Sequence, residues 1–179
     1  MKTVTIYMEW KGTVDRTYRY KYGGYGAILT YKGHEKEISG GEVNLANNHD
    51  TLLMGTSAAL EALKEPCKVN LLLPYEMSAK QYNDMKNGLE LNRWLNYCEQ
   101  NIHWIDCPDD DLWQRLSNAA KTHTIKLPLA KDDTECALRK KAKELTYKAE
   151  KDTFREKAVC IKCMRCHTTN INFSCPVWS

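Results

Sequence analysis

The chain contains Gly-Tyr-Gly-Ala-Ile-Leu-Thr-Tyr-Lys-Gly at residues 24–33, and Ile-Ser-Gly-Gly-Glu follows at residues 38–42. With the aromatic-rich residues before it, this stretch predicts two neighbouring strands, over 17–31 and 34–40. Gly23 and Gly24 would allow a bulge or a tight bend within the first of these strands. An alternating run at residues 3–9 predicts another strand before the pair, so the chain begins with three strands in succession.

The elements predicted after these strands alternate between helix and strand. They are a helix over about 50–64, a buried strand over 69–73, two short helices within 76–100, a helix from about 109 to 120, a strand over 123–129 and a charged helix over about 134–158. The order indicates an α/β fold with a mixed five-stranded sheet flanked by helices.

The composition fits one domain with a small appendage. The chain has 179 residues, of which 42% are hydrophobic and 27% charged, and its formal net charge is +3. This charge does not by itself demand a nucleic-acid partner. The chain has no apolar run of about 18 residues and no apolar leader after Met1, which favours a cytoplasmic protein without a membrane partner.

Several motifs in this order resemble bacterial type-one ribonuclease H. They are the 24–33 stretch, Asn47-Asn48, Ala-Leu-Glu-Ala-Leu-Lys-Glu-Pro-Cys at 59–67, Asp-Leu-Trp-Gln-Arg-Leu at 111–116 and His-Thr-Ile-Lys at 123–126. The resemblance covers roughly residues 1–150 and implies that family's sheet and helices. We therefore expect a ribonuclease H-like domain over 1–158 and a Cys-rich tail over 159–179.

The resemblance also implies where catalytic carboxylates would stand. In that family, four acids hold two divalent cations at the scissile phosphate. The matching positions here are Glu9, Thr51 or Leu52, Pro74 and Lys143. One acid of four cannot assemble a two-metal site, so we expect Glu9 to be vestigial, no catalytic magnesium, and a pseudoenzyme.

An alternative keeps the enzyme class. Asp50, Glu76, Asp132 and Asp133 lie near the vacated positions and could in principle rebuild the site. Turning them inward would require backbone shifts, since a one-residue slip on a strand reverses the facing of its side chains. The alternative function is a divergent metal-dependent endonuclease that cleaves RNA in RNA–DNA hybrids, and a further alternative is a pure protein-interaction module.

Candidate nucleic-acid contacts follow from the same resemblance. Asn47 and Asn48 match a turn that contacts the minor groove of a hybrid, although helix capping explains them equally well. Tyr25 is a further candidate. The helix over 134–158 is rich in lysine with interleaved acids, which favours a solvated, salt-bridged face over a partner surface. The expected partner is a hybrid or duplex nucleic acid, or a nucleoprotein.

The tail carries a separate metal signal. Cys160, Cys163 and Cys175, with either Cys166 or His167, could surround one ion as four tetrahedral ligands. Such a site would be a structural zinc, because four protein ligands leave no open position. An iron–sulfur cluster is less favoured, since nine positions separate Cys166 from Cys175 where ferredoxin motifs have a shorter spacing. A tail without metal is the remaining alternative.

Overall fold

A computed structural model describes residues 1–15, 20–43, 45, 50–74, 83, 86, 110–128 and 136–155. The elements are β1 (Lys2–Asp15), β2 (Tyr20–Tyr31), β3 (His34–Val43), α1 (Asp50–Glu61), β4 (Cys67–Leu72), α2 (Asp110–Ala120), β5 (Thr124–Lys126) and α3 (Ala137–Thr153). Apart from residues 83 and 86, the helices predicted within 76–100 lie outside the described residues, as does the tail over 159–179.

The five strands form one sheet in the order β3-β2-β1-β4-β5. β1, β2 and β3 pair antiparallel, whereas β4 pairs parallel with both β1 and β5. The predicted mixed five-stranded sheet flanked by helices is therefore confirmed. Strand alternation places even-numbered side chains of β1 on one face of the sheet and odd-numbered ones on the other.

The larger hydrophobic core lies on the face that α1 covers. Ile6 and Met8 of β1 are fully buried there, together with Leu60 of α1, Leu71 of β4 and Leu116 of α2. Full burial of a side chain of this size stabilises the fold by roughly 1.5–3 kcal/mol. This core fixes β1 and β4 as the rigid centre of the sheet.

The opposite face carries α3, which approaches the sheet very closely. A Cβ atom on Gly24 or Gly26 of β2 would overlap the α3 backbone at Glu150 or Ala142. Both Gly23 and Gly24 pair one-to-one with Gly12 and Lys11 in the regular β1–β2 ladder. The predicted bulge or bend at Gly23-Gly24 is therefore wrong, because Gly24 serves close helix packing instead.

Within the described parts of the chain, no helix is long and apolar enough to cross a membrane.

Candidate active site

The parallel pairing of β1 with β4 stops at one point of the sheet, where β4 ends and β1 continues to Asp15. Tyr7 pairs with Leu72 there, and Glu9 and Pro74 each follow two residues later in the chain. The fold thus brings together two of the positions that the resemblance singled out. Glu9 is acidic, and Pro74 has no side-chain oxygen.

The odd-numbered side chains of β1 face α3 and not the main core. Glu9 contacts Arg139 of α3, and Lys11 and Thr13 contact Glu150 near the other end of the same helix. Polar side chains of β1 and α3 therefore meet at both ends of this interface. The end at Glu9 coincides with the candidate active site.

Arg139 lies where the pairing of β1 with β4 stops. Its residue is 4% exposed, and its Nη1 lies 3.3 Å from Oε1 of Glu9. Nη1 also donates hydrogen bonds to the carbonyl oxygens of Met8 at 2.9 Å and Leu72 at 3.1 Å, and Nη2 donates to that of Leu73 at 3.2 Å. One guanidinium therefore cross-links β1 and β4.

The charge of Arg139 is well compensated. A buried ion without partners costs several kcal/mol, whereas each hydrogen bond to a charged group contributes about 1.5–3 kcal/mol. Three carbonyl oxygens and one carboxylate face the guanidinium. The Tyr7 ring, with its centroid 5.6 Å from Cζ of Arg139, adds a cation–π contact. Arg139 is thus a fixed positive charge in contact with Glu9.

The second family position carries no acid. Thr51 is fully buried and Leu52 is 2% exposed, and Leu52 belongs to the hydrophobic core. Asp50, the first residue of α1, is buried as well. Glu76, Asp132 and Asp133 lie outside the described residues. Among the described residues, no group of three His, Cys, Asp or Glu side chains is placed to hold a metal ion.

The described residues at this point do not fit a pair of divalent cations. Such cations require several carboxylate or carbonyl oxygens, and here the carbonyls of Met8, Leu72 and Leu73 already accept bonds from Arg139. Among the described residues, the one carboxylate that reaches the point is Glu9, which is ion-paired to the same guanidinium. No metal-dependent step can be derived from this arrangement.

The resemblance matched Lys143 to one of the family's four acid positions, but in the structure Lys143 does not contact Glu9. The side chain of Lys143 is exposed on α3, and the cation in contact with Glu9 is Arg139, four residues earlier. The sequence held a signal for this: Arg139 shares a helical face with the small residues Ala142 and Thr146, both buried against the sheet. An arginine on the small-residue face of a packed helix must find acceptors inside the protein.

Of the candidate nucleic-acid contacts, the structure describes Tyr25 and not Asn47 or Asn48. Tyr25 is half-buried on β2 and packs against the main core. A Cβ atom on Gly40 would lie 2.8 Å from its Cζ, and one on Gly55 would lie 2.7 Å from its Cβ. Its ring thus has a packing role between β3 and α1, and its predicted contact with nucleic acid stays a prediction.

The tail residues Cys160, Cys163, Cys166, His167 and Cys175 lie outside the described residues. Their predicted metal site stays a prediction.

Comparison with known proteins agrees with the fold and the motifs. No protein-family model matches the chain. A ribonuclease H of Shewanella loihica is 38% identical over 103 residues, which are 58% of this chain and 61% of the relative. A ribonuclease H of Cupriavidus metallidurans is 37% identical over 127 residues, which are 70% of this chain and 79% of the relative. The chain thus spans about three fifths of the Shewanella relative and more of the other.

The crystal structure of LC9-RNase H1, a type 1 RNase H with the type 2 active-site motif, superimposes with a TM-score of 0.61. It is 15% identical to this chain, and the match covers 86% of this chain and 74% of the other. That likeness concerns the fold alone. Since the match to the Cupriavidus enzyme covers most of that relative's length at 37% identity, the chain belongs to the bacterial type-one ribonuclease H family.

Proposed function

We propose that this protein is a catalytically inactive ribonuclease H-like protein that binds nucleic acid, as an RNA–DNA hybrid or a duplex, or a nucleoprotein partner. The single observation that carries the proposal is the buried Arg139, bonded to Glu9, to the backbone of β1 at Met8 and to the backbone at the end of β4. It lies against Glu9, a position at which the resemblance implies a metal-binding acid.

Electrostatics supports the loss of metal-dependent cleavage. A divalent cation bound to Glu9 would stand about 5 Å from the guanidinium, where repulsion at an effective dielectric of 20 is on the order of 7 kcal/mol. If Arg139 moved away to relieve this repulsion, it would lose three carbonyl acceptors. Either outcome opposes the metal, and no carboxylate at Thr51, Leu52 or Pro74 offsets the cost.

The family scaffold supports the binding half of the proposal. Relatives at 37–38% identity are ribonucleases H. A foamy viral protease–reverse transcriptase, of which a part covering 20% of its chain is similar in fold to this protein with a TM-score of 0.50 and 10% identity, was solved in complex with an RNA/DNA hybrid. Asn47 and Asn48 remain candidate minor-groove contacts. Tyr25 remains a further candidate contact with nucleic acid. A cytoplasmic location is part of the same proposal.

A structural zinc site in the tail is a further part of the proposal. Its ligands would be Cys160, Cys163, Cys175 and either Cys166 or His167, with an iron–sulfur cluster as the alternative.

The test is an assay of binding and cleavage on the same labelled RNA–DNA hybrid. We expect the purified full chain to bind the hybrid or a duplex at low salt and to leave the RNA intact with magnesium or manganese. An active ribonuclease H serves as the positive control for cleavage. Cleavage that Glu9→Gln abolishes would establish the divergent endonuclease instead. Absence of any nucleic-acid binding would favour a protein-interaction module.

A further inference from the structure

Residues 137–155, which comprise α3 and the turn after it, concentrate the positive charge of the chain. They hold seven basic and three acidic residues, a net charge of +4, whereas the whole chain carries +3. The rest of the chain is therefore slightly acidic. A concentration of charge on one element matters more for binding a polyanion than the total does.

The structure sorts these charges between the inside and the outside of the helix. Arg139 is buried against Glu9. Glu150 is 8% exposed and accepts hydrogen bonds from Lys11, at 2.8 Å, and from Thr13. Because Glu150 points inward, it does not neutralise the lysines on the outer side, as the interleaved sequence had suggested it would.

Lys141 is half-buried and ion-paired with Glu35 and Glu37 of β3. The other five cations are exposed on the outside of this segment. They define what we term the basic α3 face: Lys140, Lys143, Lys148, Lys151 and Arg155. Of these, Lys143, Lys148, Lys151 and Arg155 form no ion pair with another described residue. The acids near the face are Glu144, which is exposed, and Asp152, which is half-buried.

The face is continuous along the helix. At 3.6 residues per turn, its five cations fall within an arc of about 140°, and Lys140 and Arg155 are about 22 Å apart along the axis. One strand of a duplex rises about 3.4 Å per nucleotide, so a face of this length could follow about six phosphates.

An aromatic side chain lies within the same arc. Tyr147 is 48% exposed, and it is one of the few large hydrophobic side chains that the described residues expose. The Lys11 ammonium lies 5.0 Å from the centroid of its ring. Aromatic rings among cations are typical of surfaces that bind nucleic acid through stacking and phosphate contacts.

We propose that the basic α3 face binds the phosphate backbone of nucleic acid, without regard to sequence, on the side of the sheet opposite α1. The inference rests on the proposed function, because it specifies where the chain would hold its nucleic acid. An anionic membrane is disfavoured as the occupant. A membrane-bound helix must insert an apolar face, and the inward face of α3 is already buried against the sheet at Ala142, Thr146 and Thr153.

The test compares two triple variants that remove the same charge from opposite sides of the sheet. The first is Lys143→Gln, Lys148→Gln and Lys151→Gln on the basic α3 face. The matched control is Lys36→Gln, Lys64→Gln and Lys121→Gln, three exposed lysines that lie on β3 against the end of α1, follow α1 or follow α2. Binding of the full chain to a fluorescent duplex and to a hybrid is measured by anisotropy from about 50 to 200 mM salt.

We expect the affinity of the first variant at low salt to be at least about tenfold lower. The slope of log affinity against log salt should be less negative by about 2–3. The control should bind within about twofold of the unmodified chain. Equal binding by both variants, or equal loss, overturns the inference while leaving the proposed function in place. Absence of binding by the unmodified chain overturns both. Binding to anionic phosphatidylserine vesicles is measured in parallel. If the first variant loses binding to the vesicles and keeps its binding to nucleic acid, the face is assigned to a membrane instead.

Discussion

Replacing Arg139 with methionine should destabilise the fold strongly, because the guanidinium joins β1 to β4. Arg139→Met keeps much of the side-chain volume and removes all the donors. Three carbonyl oxygens, of Met8, Leu72 and Leu73, and the Glu9 carboxylate would then lose their partner inside the protein. Removing one member of a buried ion pair costs about 3–5 kcal/mol, so we expect a loss of that size.

The chain provides its own control in Arg115. This arginine makes a two-point ion pair with Glu61, with Nε–Oε1 and Nη2–Oε2 distances of 2.8 and 2.7 Å. The side chains are 41% and 43% exposed. The pair lowers the pKa of Glu61 through the hydrogen bond from Arg115. Because exposed pairs contribute about 0–1 kcal/mol, Arg115→Met should cost far less than Arg139→Met.

The assay is urea unfolding followed by circular dichroism. With a slope of about 2 kcal/mol per molar urea, Arg139→Met should lower the midpoint by roughly 1.5–2.5 M, against about 0.5 M or less for Arg115→Met. Glu9→Gln should cost about 1–2 kcal/mol, since it keeps an oxygen acceptor and the carbonyls keep their donor. If Arg139→Met and Arg115→Met shift the midpoint equally, the cross-link between the strands is refuted.

Three further outcomes are expected. Glu150→Ala should cost about 1–3 kcal/mol in the same assay, because the buried carboxylate accepts bonds from Lys11 and Thr13. Lys11 is itself half-exposed, so Lys11→Ala should cost under about 1 kcal/mol, and the reverse order would contradict this contact. His123 accepts a hydrogen bond at Nδ1 from the backbone of Cys67, and burial lowers its pKa. Its contribution to the free energy of unfolding should therefore be complete above about pH 6.5 and decline as pH falls below that value; an identical pH dependence in His123→Gln would refute this. Purified protein should contain about one zinc per chain by elemental analysis, lost in Cys160→Ser with Cys163→Ser; a brown, iron-containing protein would establish the cluster instead.

The fold could be predicted from local patterns because the residues of its strands either alternate between apolar and polar or are almost wholly apolar. The buried run that became β4 and the three opening strands needed no tertiary information. β5 is shorter than predicted, at Thr124–Lys126. Pro128, which cannot donate to a strand ladder, comes soon after its end. The predicted role of Gly23 and Gly24 in β2 was wrong because α3 packs so closely on Gly24 that no side chain fits there, and α3 lies more than 100 residues later in the chain.

The candidate site could be predicted only in part. The loss of acids followed from residue identities alone. The predicted end of the first strand at residue 9 is wrong, because β1 continues to Asp15 in its pairing with β2, and Glu9 lies where the pairing with β4 stops. Arg139 was missed because its one signal, the helical face it shares with Ala142 and Thr146, is weak in a highly charged helix where most cations face water. Its role depends on carbonyls from β1 and β4 that converge only in the folded chain.

The most direct test of the central claim is a crystal structure of the protein grown with an RNA–DNA hybrid and manganese, with anomalous scattering recorded for the metal. We expect Arg139 to remain bonded to the backbone of β1 at Met8 and to the end of β4, with no manganese peak beside Glu9. A pair of manganese ions at Glu9, with Arg139 displaced from the Met8 and Leu73 carbonyls, would contradict the account.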